Sequence, residues 1–220
     1  MKAFLIRDSA QMICASIAFV YGSSRYLKPR QPIYAIMSVL GLGCAAMGRL
    51  YQVAIILTET VYEGRLQIGI LGMVGMFAFL FSSNYGEIDS LVDDGSQTYA
   101  PYRRLSFAMS CLMVLCYIWI ASGELSITER LEYGVVSLSI AAASYYHIKH
   151  ILIPDVEFGI VRSMRAFNVC ALLYGLLCIL EIGAALRHAP LLLFLVCVPQ
   201  CVLLLAILPL MDVGVRSWTK

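Results

Sequence analysis

The stretch Ala189-Pro-Leu-Leu-Leu-Phe-Leu-Val-Cys-Val-Pro-Gln-Cys-Val-Leu-Leu-Leu-Ala-Ile-Leu-Pro-Leu-Met211 contains no charged residue. A helix needs about 20 predominantly apolar residues to cross a hydrocarbon core about 30 Å thick. This segment has that length. Barrel strands would read as alternating segments of roughly 10 residues, whereas this run is unbroken. The fold class follows: an all-α integral membrane protein.

Two further stretches, Leu66 to Gly86 and Leu105 to Gly123, are equally free of charge. The whole chain is 60% apolar over 220 residues, with a mean hydropathy of +0.81. Soluble domains sit at about 45–50% apolar. The charges that interrupt the apolar runs divide the chain into seven membrane-length pieces, at approximately 9–27, 32–57, 66–86, 105–123, 131–153, 161–186 and 189–211. Seven crossings with short loops use up the chain. The expectation is one domain, 1–220, built as a seven-transmembrane helix bundle. No soluble catalytic domain or nucleic-acid partner fits; the lipid bilayer is the expected surrounding. A start such as Lys2 and Arg7 followed by Met12 to Val20 has some features of a secretory signal, but it lacks a good small-residue cleavage pattern.

Orientation follows from lysine and arginine on alternating sides. One side holds Arg25, Lys28, Arg30, Arg103, Arg104, Lys149, Arg162, Arg165, Arg216 and Lys220. The other holds Lys2, Arg7, Arg65, Arg130 and Arg187, so the division is ten against five. The first side is expected in the cytoplasm. The N-terminus is then outside and the C-terminus cytoplasmic, in a cell membrane, with a bacterial cytoplasmic membrane the expected setting.

Small residues mark where helices meet, because close backbone approach packs helices in lipid. Ser38, Gly41, Ala45 and Gly48 form one stripe, Gly69, Gly72 and Gly75 a second, and Ser137, Ala141 and Ser144 a third. The second, third and fifth spans are therefore expected near the centre. All eight cysteines fall inside spans, where they read as small buried hydrophobes rather than a disulfide framework.

Polar residues inside spans carry the functional expectations. Charges there are rare and face the bundle interior or a wet cavity. Arg49 stands about 25 Å up the second span and Glu181 about 22 Å up the sixth, at 1.5 Å per residue. The two share a depth near the outer side and can pair. With Gln52, Tyr174 and Gln67 they outline an outer polar pocket for a small-molecule ligand. Gln52 shares a helix face with Arg49, and Tyr174 lies on the face of Glu181.

The longest loop, Ser83 to Gly95, is expected on the cytoplasmic side. It supplies Glu87, Asp89, Asp93 and Asp94, with Arg103 and Arg104 nearby. These six residues are candidates for docking a cytoplasmic signalling protein. Paired carboxylates there are also compatible with Mg²⁺ and phosphate chemistry, although no second acidic motif accompanies them. His147, Lys149 and His150 are expected to extend from the end of the fifth span to the interface. Pro199 and Gln200, midway along the last span, are gating candidates, since proline there frees a carbonyl and bends the helix.

No lysine stands in the last span, which excludes a retinal linkage, and no nucleophile–base pair lies within a span. The sequence points to no catalytic residues, metal or cofactor, and an enzyme is the less favoured class. The leading expectation is a sensor or receptor-like regulator that binds a small ligand outside and signals to a cytoplasmic partner. A small-solute transporter or channel, and a membrane enzyme acting on a phosphorylated lipid, are the alternatives.

Overall fold

A computed structural model describes residues 2–58, 68–122, 126–154, 159–187 and 189–218. Among these residues the chain is helical and has no strand. Helix α1 is Lys2–Tyr26, α2 is Ile33–Leu57 and α3 is Ile70–Ser83. A π-helical turn, Asn84–Ile88, leads without a break into the single turn α4, Asp89–Val92. Then follow α5 (Ala100–Ile120), α6 (Ile127–Leu152), α7 (Ile160–Leu186) and α8 (Pro190–Trp218).

Five stretches, Ala3–Tyr26, Ile33–Leu57, Gln97–Ile120, Val161–Leu186 and Pro190–Gly214, are long and apolar enough to cross a membrane. The chain is a multi-pass membrane protein. Helix α3 is apolar but shorter, with 14 residues. Helix α6 has the length, 26 residues, but carries Glu129, Arg130, Glu132 and Lys149. Its start is fixed by a capping box, in which Ser126 accepts from the Glu129 backbone and the Glu129 carboxylate accepts in return.

Helix α1 packs between α2 and α8; α2 packs on α3, α3 on α6, α6 on α7, and α7 on α8. Six helices therefore close a ring. Helix α5 lies outside it, against α6 and the edge of α7. The outward residues of α5, including Phe107, Leu115, Ile118 and Trp119, are exposed, as expected of lipid-facing positions. The inside of the ring is filled. Phe77 stacks on Tyr174 with ring centroids 5.9 Å apart, and Leu42, Met76, Leu80 and Ile140 are buried around them.

The small-residue stripes lie at the helix crossings. Gly48 and Gly72 meet where α2 crosses α3. A Cβ added to Gly72 would stand 2.5 Å from the Gly48 Cα and equally close to the Cys44 carbonyl oxygen. Nothing larger than glycine fits between two backbones at that separation. Ser137, Ala141 and Ser144 are buried on α6.

Three expectations are corrected. The first helix begins at Lys2, not near residue 9, so Arg7 and Asp8 are helical and buried rather than flanking charges. The stretch after Ser83 is helical as far as Val92, and Ile88 and Val92 bury themselves in the core, so only the remainder is loop. His147, Lys149 and His150 do not extend outward; all three are buried. Their partners face them from inside the bundle, and desolvated polar groups go where hydrogen bonds are.

Candidate functional site

The candidate site lies at the end of the bundle formed by the start of α1, the late turns of α2 and α7, and the early turns of α6 and α8. Arg49 on α2 is its hub. Its Nη1 donates to Asp8 Oδ1 at 2.9 Å and to Gln52 Oε1 at 3.0 Å. Its Nη2 donates to Glu181 Oε1 at 2.8 Å and to Oε2 at 3.1 Å. Arg7 grips Asp8 through Nε and Nη2, both at 2.9 Å, and its Nη1 stands 3.3 Å from Glu181 Oε1. Two guanidinium groups and two carboxylates thus alternate around one point and balance in charge.

Amides complete the cluster from α1 and α8. Gln200 Nε2 donates to Glu181 Oε2 at 2.7 Å. Gln11 Nε2 donates to Gln200 Oε1 at 2.6 Å. Asp8, Gln11, Arg49, Glu181 and Gln200 are at most 6% exposed. A charge buried this deeply is tolerated only when paired and hydrogen-bonded, since removing one partner costs about 3–5 kcal/mol. Arg49 Nε and Gln11 Oε1 are buried with no hydrogen-bond partner among the described residues.

A cavity of about 340 Å³ opens beside the cluster. Arg7, Asp8, Arg49, Gln52 and Glu181 line its polar side, together with Tyr51 and Tyr133. Phe4, Ile55, Ile56, Ile70, Met73 and Ile182 are among the residues on its apolar side. A mostly apolar hollow with a few convergent polar groups is the usual form of a small-molecule site.

Of the residues expected in this pocket, the structure brings Arg49, Gln52 and Glu181 together. Tyr174 is fully buried below the cavity and stacks on Phe77 instead of lining it. Gln67 lies outside the described residues. Gln200, expected in a gating role beside Pro199, belongs to the charged cluster. Arg7, Asp8 and Gln11 join it without having been expected there. The available signal was Gln11, an amide inside the first apolar run.

The opposite end holds a second network. Lys149 Nζ pairs with Asp89 Oδ1 and reaches Asp93 Oδ2 at 3.1 Å. Arg103 Nη1 pairs with Asp93 Oδ1 at 2.7 Å. Burial alone would push the Asp93 carboxyl up, but the Gly95 backbone N–H, Lys149 and Arg103 outweigh it and hold the group below its ordinary value. Asp94 is exposed and held low by the Ser96 backbone N–H, which it accepts at 2.8 Å. Arg104 is exposed, and the side chain of Glu87 lies outside the described residues. Asp89 and Asp93 are therefore occupied by cations of the chain itself. A third cluster, unexpected from sequence, ties the ends of α1 and α8: Arg25 and Tyr26 both bond Asp212, at 2.9 Å and 2.8 Å.

Comparison with family models, with curated proteins and with solved structures returns no match. The functional reading therefore rests on the geometry.

Proposed function

We propose that the chain is a receptor-like membrane regulator that binds a small ligand in the cavity beside Arg49 and Glu181. In this reading all seven long helices cross the bilayer, α3 by way of its π-turn extension, with the N-terminus outside. The cavity then faces the exterior, and the Asp89–Lys149 and Asp212–Arg25 clusters face the cytoplasm, where a signalling partner docks.

The observation that carries the proposal is the coupling of the cavity wall to the α1–α8 pair. Arg7, Asp8 and Gln11 stand at one end of α1, and Arg25 and Tyr26 at its other end. Gln200 lies in the first half of α8, and Asp212 lies towards its far end. A ligand whose acceptor group takes a hydrogen bond from Arg49 competes with Asp8 and Glu181. That competition alters the contact between α1 and α8, and the Arg25–Asp212 link senses it at the cytoplasmic end. Such a ligand shifts the equilibrium only by its differential affinity for the two arrangements.

The filled middle of the ring favours sensing over transport. Phe77, Tyr174, Leu42 and Ile140 are buried in the core and do not line the cavity. The lipid-enzyme reading loses support because Asp89 and Asp93 are already neutralised by Lys149 and Arg103.

The test is co-purification. Wild-type protein extracted gently from its membrane is denatured, and released small molecules are identified by mass spectrometry. Val136 on α6 also lines the cavity, and a compound present with wild type and missing from Val136→Trp, whose larger side chain fills that space, is the expected result. The same released compounds from both proteins, or none from either, would count against the pocket.

A further inference from the structure

The network at the opposite end extends inward as a chain of buried side chains. Asp89 Oδ1 lies 3.0 Å from His150 Nε2. His150 Nδ1 lies 3.2 Å from Asn84 Oδ1. Asn84 Nδ2 lies 2.9 Å from His147 Nδ1, which is also 2.8 Å from Asn168 Oδ1. Asn84, His147, His150 and Asn168 are each at most 1% exposed. Asn84 opens the π-helical turn, a distortion found mostly at functional sites.

The chain contains a conflict that one proton resolves. His147 Nδ1 accepts a hydrogen bond from the Asn84 amide only when it is bare. It donates to the Asn168 carbonyl only when it is protonated. It cannot do both. Two arrangements resolve the conflict, because the two ends of each amide exchange by a half-turn.

In the first, Asn84 Nδ2 donates to a bare His147 Nδ1, Asn168 is turned so that its Nδ2 rather than its Oδ1 faces that nitrogen, and Asn84 Oδ1 accepts from a protonated His150 Nδ1. The Asp89 carboxylate accepts from His150 Nε2, so His150 carries both protons and is an imidazolium. The His147 proton then sits on Nε2, which has no partner among the described residues. In the second, Asn84 is turned. Its Nδ2 donates to a bare His150 Nδ1, and its Oδ1 and that of Asn168 accept from His147 Nδ1. His150 keeps only the Nε2 proton. The first arrangement holds one more proton than the second. That proton is on His150 Nδ1, while the proton of His147 has changed nitrogens.

We infer that this chain is a proton-binding site, in which a proton taken up by His150 at the end opposite the cavity turns the Asn84 amide and switches the tautomer of His147 deeper in the bundle. The groups around His150 suit the task. Asp89 and Asn84 face it from the α3–α4 segment, and Lys149 and Tyr146 flank it on α6. Asp93 and Arg103 stand beyond Lys149. Asp89, Asp93, Lys149 and Arg103 balance one another, so the added proton appears as the net charge of the cluster. Ionisable residues within membrane helices are the usual material of proton sites. The inference goes beyond the ligand pocket and does not depend on it, since it concerns different residues at the other end.

The chain has three histidines, so the test is direct. Protein labelled with ¹⁵N at the histidine rings is titrated between about pH 4 and 9 by nuclear magnetic resonance, a range that brackets the ordinary histidine value. His147→Gln and His188→Gln assign the signals. The expected result is a single coupled event: His150 goes from doubly protonated to Nε2-protonated as His147 goes from Nε2–H to Nδ1–H. In Asn84→Leu, His150 titrates alone and the tautomer of His147 no longer depends on pH. A His147 tautomer that is the same at both ends of the wild-type titration overturns the inference. So does a His150 that never changes charge, or coupling that survives Asn84→Leu. If that variant does not fold, the wild-type titration decides alone.

Discussion

Replacing Arg49 with methionine tests the charged cluster most sharply. The substitution removes four hydrogen bonds, one to Asp8, one to Gln52 and two to Glu181. Truncating one member of a buried pair costs about 3–5 kcal/mol. The lower end applies, because Arg7 still grips Asp8 and still approaches Glu181, which also keeps Gln200 and Gln11. Polar contacts between membrane helices are moreover weaker than expected, averaging about 0.6 kcal/mol in one measured series. The expected loss is about 3 kcal/mol, over a hundredfold in the unfolding equilibrium by the handy measure of about 1.4 kcal/mol per factor of ten. Arg49→Met/Glu181→Met should lose less than the two single variants together, by about 2 kcal/mol, because neither charge is left facing the other's vacancy. Unfolding by SDS in mixed micelles, followed by circular dichroism, measures all four proteins of the cycle. A single variant within about 0.5 kcal/mol of wild type, or a strictly additive cycle, would refute the reasoning.

Other outcomes follow from the same structure. Gly72→Val should prevent proper folding, since its Cβ would collide with the α2 backbone, whereas Gly134→Ala, whose Cβ meets the Tyr117 hydroxyl at 3.5 Å, should be tolerated; yields of monodisperse protein after extraction compare the two. Asp93 is held below the ordinary carboxylate value, so the stability it contributes is present above that value, about 3.9, and is lost as pH falls through its folded value. Melting temperatures of wild type should therefore fall more steeply on acidification than those of Asp93→Asn.

The helices were legible because their signal is length without charge, and that needs no knowledge of neighbours. The approach of Arg49 and Glu181 was legible for a related reason: rise per residue places both at one depth. Which residues surround them laterally is a property of the ring, and no single helix reveals it. Arg7 and Asp8 therefore read as flanking charges at the start of a short span, although the helix continues beneath them to Lys2. The network of Asn84, His147 and His150 was hidden by the same limit. His147 and His150 stand near a helix end, where interfacial placement is usual. Only the packing of Asn84 and Asn168 against them makes burial affordable in hydrogen bonds. Asn168, an amide within the apolar sixth span, was the visible hint.

The reading of the cavity as a receptor site stands on which end of the bundle faces out. Single cysteines at Lys28 and at Ser122, each in a cysteine-free background, are exposed to a membrane-impermeant maleimide on intact cells. The proposed orientation requires labelling at Ser122 and none at Lys28 until the membrane is opened. Labelling at Lys28 from outside would turn the molecule over and place the Arg49 cavity in the cytoplasm.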